Sequence, residues 1–93
     1  MDFSRTLINQ VWEKAQPISG VDASQKRKDK CGATIAKASY GMQTRYGWEI
    51  DHIIPVSRNG SNNISNLQPL HWENNRSKAD GPDRPSQYCV VRN

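Results

Sequence analysis

Cysteine, histidine and apolar residues are all scarce in this chain of 93 residues, and each scarcity narrows what it can be. Cys31 and Cys89 are the two cysteines; they form no C-x-x-C pair and no framework of the kind that staples small secreted domains. They are expected to be free thiols in a reducing compartment. Hydrophobic residues make up 34% of the chain, so a protein near the lower size limit for a self-sufficient core needs a supplement. A metal site, a partner subunit or bound substrate could supply it. The N-terminus has no long apolar run, so neither a signal peptide nor a membrane span is expected, and the expected location is cytoplasmic. No repeat and no interdomain linker is visible, which suggests a single domain over 1–93.

What is present is basic charge and local pattern. The formal net charge of +4 favours a polyanionic partner without naming one. Ser4 can cap a helix running to about Gln16, with Leu7, Ile8, Val11, Trp12 and Ala15 on one face and Pro17 as its stop. That face packs Trp12 into a core more readily than it reads DNA. Residues 17–24 read as a loop turning at Gly20. The run Lys26-Arg27-Lys28-Asp29-Lys30 follows; it is either a solvated face or a set of phosphate contacts. Residues 34–36 form a short strand or a helical turn, and periodicity does not separate the two. Tyr40 and Tyr46 punctuate turns and are placed to brace what comes next.

From Trp48 to Ile54, apolar Trp48, Ile50 and Ile54 alternate with Glu49 and Asp51, the pattern of a half-buried strand ended by Pro55. A polar loop rich in Asn and Gly covers residues 57–65. A second, shorter strand spans 67–70, and a helix from about Trp72 to Ala79 places Trp72, Asn75 and Ala79 on one stripe. That stripe is expected to face the hairpin and to turn Asn75 toward Asp51 and His52. The segment after Gly81, with Pro82 and Pro85, is expected to be loosely ordered.

The hairpin and helix gather a carboxylate, an imidazole and two amides. Histidine takes up a proton at physiological pH, which suits His52 to activating water, a contribution of about 10²–10⁴-fold in rate. The oxygens of Asp51 and Asn75 are hard donors suited to Mg²⁺ or Mn²⁺. Two protein ligands leave most of an ion's positions for water and phosphate oxygens.

The segment W-E-I-D-H-I-I-P-V-S-R-N-G-S-N-N-I-S-N-L-Q-P-L-H-W-E-N-N-R-S-K-A-D resembles the H-N-H endonuclease family, over roughly a third of the chain and with a matching residue at each motif position. The resemblance implies an α+β fold with a ββα-metal core (about 46–80) and the N-terminal helix packed on it. It implies one divalent ion, Mg²⁺ or Mn²⁺, held by the residues matching Asp51 and Asn75, with His52 as the general base. Asn66 matches the middle N, which braces the loop and orients the catalytic histidine. Arg76 and Lys78 lie beside the site; Arg76 is either a phosphate ligand in catalysis or an exposed helix charge, and Lys78, with Lys26, Arg27, Lys28 and Lys30, is a candidate for nucleic-acid binding. Many relatives carry two cysteines of a structural zinc site where this chain has His71 and Asn74. Asparagine is a poor zinc ligand, so no structural zinc is expected, and His71 is expected to pack or hydrogen-bond. Trp48 and Trp72 read as core.

The activity so implied is metal-dependent hydrolysis of DNA phosphodiester bonds, with limited sequence specificity, because base readout needs more groove-filling elements than the sequence offers. The alternative is a non-catalytic nucleic-acid-binding module on the same scaffold, which could dispense with Asp51 or His52. A toxin-type nuclease would need delivery domains; a phage packaging or restriction subunit is compatible with the sequence. One tension remains within the pattern. Neighbours on a regular strand point to opposite faces, yet Asp51 and His52 must serve one site.

Overall fold

The computed structural model of the protein describes residues 2–93. It is a mixed α+β fold of antiparallel strands and short helices. Helix α1 (Arg5–Trp12) starts where the Ser4 side chain accepts the Leu7 N–H at 3.1 Å. This satisfies one of the amide groups that a helix start leaves without a partner. The helix ends at Trp12, a turn earlier than its apolar spacing suggests. The cause is Arg27. Its guanidinium donates to the Glu13 and Ala15 carbonyls at 3.2 and 3.1 Å, and its Nε donates to the Ala23 carbonyl at 2.9 Å. The chain beyond α1 is thereby drawn into a three-stranded antiparallel sheet of β1 (Gln16–Pro17), β2 (Lys26–Lys28) and β3 (Thr34–Ala36). The ambiguous segment 34–36 is thus a strand, and three of the five residues of the charge run form its neighbour.

A second sheet is the hairpin of β4 (Trp48–His52) and β5 (Leu67–His71), with Asp51 opposite Gln68 and His52 opposite Leu67. Helix α2 (Trp72–Lys78) follows without a loop, because the His71 ring accepts the Glu73 N–H at 3.1 Å and caps it. The core forms where α1, β3 and the hairpin meet. Val11, Trp12, Ile35, Trp48 and Leu67 are sealed from solvent, and complete burial of such side chains stabilises the fold by about 1.5–3 kcal/mol each. Trp12 and Trp48 pack with ring centroids 5.4 Å apart, and Tyr40 meets Trp48 edge-on at 4.9 Å. Trp12 Nε1 donates to the Ala23 carbonyl at 3.1 Å, so the buried indole leaves no polar group unpaired.

Two expectations need correction. Cys31 and Cys89 are not free thiols but a disulfide that closes a separation of 58 residues. Neither spacing nor composition reports that the fold brings their Cα atoms to 5.5 Å. The free thiols from which a reducing compartment was inferred are therefore not there. The segment after Gly81 is likewise not loose. It forms helix α3 (Pro85–Tyr88), buries Tyr88 against Leu70 and the disulfide, and ends with Asn93 accepting hydrogen bonds from the Thr34 amide and hydroxyl. Among the described residues no helix is long and apolar enough to cross a membrane.

Candidate metal and phosphate site

Strand β4 ends at His52, and this resolves the tension between neighbouring residues. Asp51 turns toward α2 and Gln68, while His52 turns toward Phe3 and Asn62, yet both line one cavity at the end of the hairpin. The cavity has a volume of about 330 Å³ and is also lined by Pro55, Asn75, Arg76 and Asp80.

The loop between the strands is pinned just past His52. Asn66 accepts the Ile53 N–H with its backbone carbonyl at 2.8 Å and the Ile54 N–H with its side-chain oxygen at 2.9 Å. Its side-chain nitrogen donates to the Ile54 and Ser61 carbonyls at 3.1 and 2.9 Å. Asn66 therefore holds the backbone that follows His52 and does not contact the imidazole. The residue that does is Asn62, whose side-chain oxygen lies 2.7 Å from His52 Nε2. With an acceptor there, Nε2 carries the proton and Nδ1 is left as the acceptor. The same loop folds so tightly that a Cβ on Gly60 would overlap the Ile54 carbonyl, and the Gly60 N–H donates to Pro55 at 2.9 Å.

On α2, the Asn75 amide nitrogen donates to Glu49 at 2.8 Å, which sets its carbonyl oxygen on the opposite side. Arg76, with a side chain 56% exposed, stands at the rim, 3.4 Å from Glu49 and over the Trp72 ring. Asp51 is buried at 5% exposure, with Gln68 donating to one carboxylate oxygen at 2.8 Å and the Lys78 ammonium 3.3 Å from the other. Burial pushes the Asp51 carboxyl above its ordinary range, and the contacts with Gln68 and Lys78 oppose that rise.

An ionised carboxylate offers about four lone-pair directions, so two remain for a cation. With the Asn75 carbonyl, Asp51 makes a hard-oxygen pair that fits Mg²⁺ or Mn²⁺. Among the described residues no three His, Cys, Asp or Glu side chains cluster as a metal cage.

Lys78 is not available to nucleic acid. Its side chain is fully buried, and its ammonium donates to the His52 carbonyl at 2.9 Å besides facing Asp51. Arg27 is committed to the backbone after α1, and Lys30 is paired with Asp83 at 2.7 Å. Of the charge run, Lys26 lies over the Tyr46 ring and Lys28 is half-buried on β2. Helix α2 packs through Asn74 and Lys78, with Asn75 at the edge of the buried face rather than at its centre.

The residues missed by pattern reading are Glu49, Asn62, Gln68 and Asp83. Glu49 and Gln68 were visible only as strand positions. Their roles depend on cross-strand and helix partners that no local spacing encodes.

Around His71 and Asn74 stands a carboxylate hub. Asp29 accepts the Cys31 and Ala33 N–H groups on one oxygen, each at 2.9 Å, and the His71 N–H and the Asn74 amide on the other, at 3.0 and 3.1 Å. Asn74 in turn accepts from Val90 and Val91 and donates to the Val91 carbonyl, tying in the end of the chain. The His71 ring donates to the Arg45 carbonyl at 2.8 Å.

The model of a family described as HNH endonuclease matches residues 29–81, more than half of the chain. No curated protein and no solved structure matches it.

Proposed function

The chain belongs to the HNH endonuclease family, a family of phosphodiester hydrolases, and from that premise we propose that it cleaves DNA with His52 as general base and a divalent ion held by Asp51 and Asn75. The observation that carries this reading is the shared cavity of Asp51, His52 and Asn75 with Arg76 at its rim. The region of about 46–80 is read as the catalytic core of one domain.

His52 holds its Nε2 proton against Asn62 and takes a proton from water at Nδ1. Asn66 keeps the backbone after His52 from shifting, which fixes the aim of the imidazole. A bound divalent ion supplies charge neutralisation at the phosphate oxygens and at the departing alkoxide. Glu49 orients the Asn75 amide, and Asp51 brings the negative charge that attracts a dication. Arg76 donates to phosphate oxygens from the rim, where it lowers the energy of the charge built up in the transition state. Lys26 and Lys28 are the members of the basic run left to contact the nucleic-acid backbone.

The test is cleavage of supercoiled plasmid with Mg²⁺, Mn²⁺, Zn²⁺ or chelator, comparing the wild type with His52→Ala. Nicked or linear product is expected with Mg²⁺ or Mn²⁺ and none with chelator. His52→Ala should lose activity by about 10²–10⁴-fold while retaining DNA affinity. Wild-type cleavage in chelator would reject the metal assignment, and a near-native rate in His52→Ala would reject the base. DNA binding without cleavage under every ion would favour the non-catalytic module.

A further inference from the structure

Asp51 is connected to the far end of the chain through one buried amide. Gln68 stands directly across the hairpin from it and sends the same Nε2 to two carboxylates, Asp51 at 2.8 Å and Asp83 at 3.1 Å. Asp83 is itself held on both oxygens. The Tyr88 hydroxyl donates at 2.6 Å to the oxygen that Gln68 reaches, and Lys30 pairs with the other. Tyr88 is buried and is followed directly by the bridged Cys89, so the chain leading to Asp83 is anchored.

The Gln68 amide is also the place where the network gives up a hydrogen bond. Among the described residues, its Oε1 is the one buried side-chain polar atom without a partner. Leaving an acceptor buried in this way costs about 1–3 kcal/mol. Turning the amide over would bring that oxygen against two carboxylates, so the orientation is forced by Asp51 and Asp83 together. A polar residue retained at a loss to stability is a feature of functional sites.

We propose that Gln68, held by Asp83 and Tyr88, is a positioning residue that fixes which lone pairs of Asp51 face the cavity, making the C-terminal segment a working part of the site. The proposal rests on Asp51 being a metal ligand. A carboxylate free to turn about its Cβ–Cγ bond sweeps its lone pairs past the cavity. The Gln68 N–H on one oxygen and Lys78 on the other stop that rotation, and fixing a ligand in this way governs metal affinity.

The experiment is calorimetric titration of Mn²⁺ into wild type, Asp51→Ala, Gln68→Met and Tyr88→Phe, with thermal melting of each. Cleavage rate against Mn²⁺ concentration is measured in parallel. Gln68→Met keeps the side-chain volume and removes the amide. Its Mn²⁺ dissociation constant should rise about 10-fold, and most of the cleavage rate should return at saturating Mn²⁺. Tyr88→Phe removes only a hydroxyl and should weaken Mn²⁺ binding in the same sense by a smaller factor. Wild-type Mn²⁺ affinity in both Gln68→Met and Tyr88→Phe, beside a loss in Asp51→Ala, overturns the positioning role and leaves Asp51 a ligand. A rate in folded Gln68→Met that stays low at saturating Mn²⁺ overturns it as well. Unchanged affinity in Asp51→Ala rejects the ligand assignment itself, and the proposal with it.

Discussion

Asp29 and Asp51 are both buried carboxylates, at 3% and 5% exposure, and both are reached from β5, but they are built for opposite ends. Asp29 accepts four N–H groups, two on each oxygen, and has no room for another partner. Asp51 accepts one N–H from Gln68, faces one ammonium, and borders a cavity. The saturated carboxylate joins the β2–β3 turn, the start of α2 and, through Asn74, the chain end, so it holds the fold together. The unsaturated one keeps lone pairs in reserve, which is what a metal ligand requires. Burial alone does not separate structural from chemical acids; the count of donors around each oxygen does.

The sharpest way to break this comparison is Asp29→Ala. It strands four buried N–H donors, and at about 1–3 kcal/mol for each unsatisfied group, moderated by relaxation, the expected loss is about 4 kcal/mol. Urea unfolding measures it, and a loss under about 1 kcal/mol would show that the hub is dispensable. Opening the disulfide comes next, by reductant or by Cys89→Ser. A closed loop of this length stabilises by about 4 kcal/mol in the chain-entropy account, so the urea midpoint should fall while the hairpin cavity keeps its residues. An unchanged midpoint would mean that Asn74 and Asp29 hold the chain end unaided.

Asp51→Asn should differ from the Asp29 result by its effect on metal. It leaves the buried Lys78 ammonium with neutral oxygens alone, the Asn side chain and the His52 carbonyl, so stability should fall by about 3 kcal/mol. Mn²⁺ affinity should also fall at least 10-fold, which corresponds to about 1.4 kcal/mol. Calorimetry beside urea unfolding reads both, and a large stability loss with intact Mn²⁺ binding would exchange the roles assigned to the two acids.

The mildest effect concerns Asp83. Burial works to raise its carboxyl, but hydrogen bonds from Lys30, Tyr88 and Gln68 outweigh that and hold it below the ordinary carboxylate range. Its contribution to stability is therefore complete above the unfolded value, about 3.9, and is lost only as pH falls through the lower folded value. The Tyr88 phenol is pushed far up by burial and by Asp83, so it stays a donor throughout. Amide exchange in α3 should stay slow at pH 5 and quicken only in stronger acid. Quickening already at pH 5 would show that Asp83 does not hold the segment.

The hairpin was legible because β4 carries five residues long enough to show their period, and α2 was legible as a helix although its buried face, Asn74 and Lys78, is not the stripe that the spacing of Trp72, Asn75 and Ala79 suggests. Asp51, His52 and Asn75 could be singled out by the motif residues and their spacing, which resemble the H-N-H family. The first sheet was not legible, since strands of two and three residues have no period to read. Asp29 was hidden in a charge run, where one acid among four bases looks like solvated surface. Its role comes from amides contributed by β5 and α2, more than forty residues away. Lys78 failed as a phosphate contact on similar grounds. A lysine near a site reads as a surface cation until the carboxylate and carbonyl that enclose it are known.

The corner at Gly60 matters to anyone who would build a preference for one nucleic-acid sequence into this protein. The loop beyond His52 is the natural stretch to randomise, being exposed and next to the cavity. With the Ile54 carbonyl occupying the space of a Cβ, that stretch is not free sequence but a spacer of set curvature. A library over residues 56–63 should return active clones that keep glycine at position 60 and asparagine at position 62, which holds His52, while other positions diversify, so selection for a new target would search a smaller alphabet than the loop's length implies.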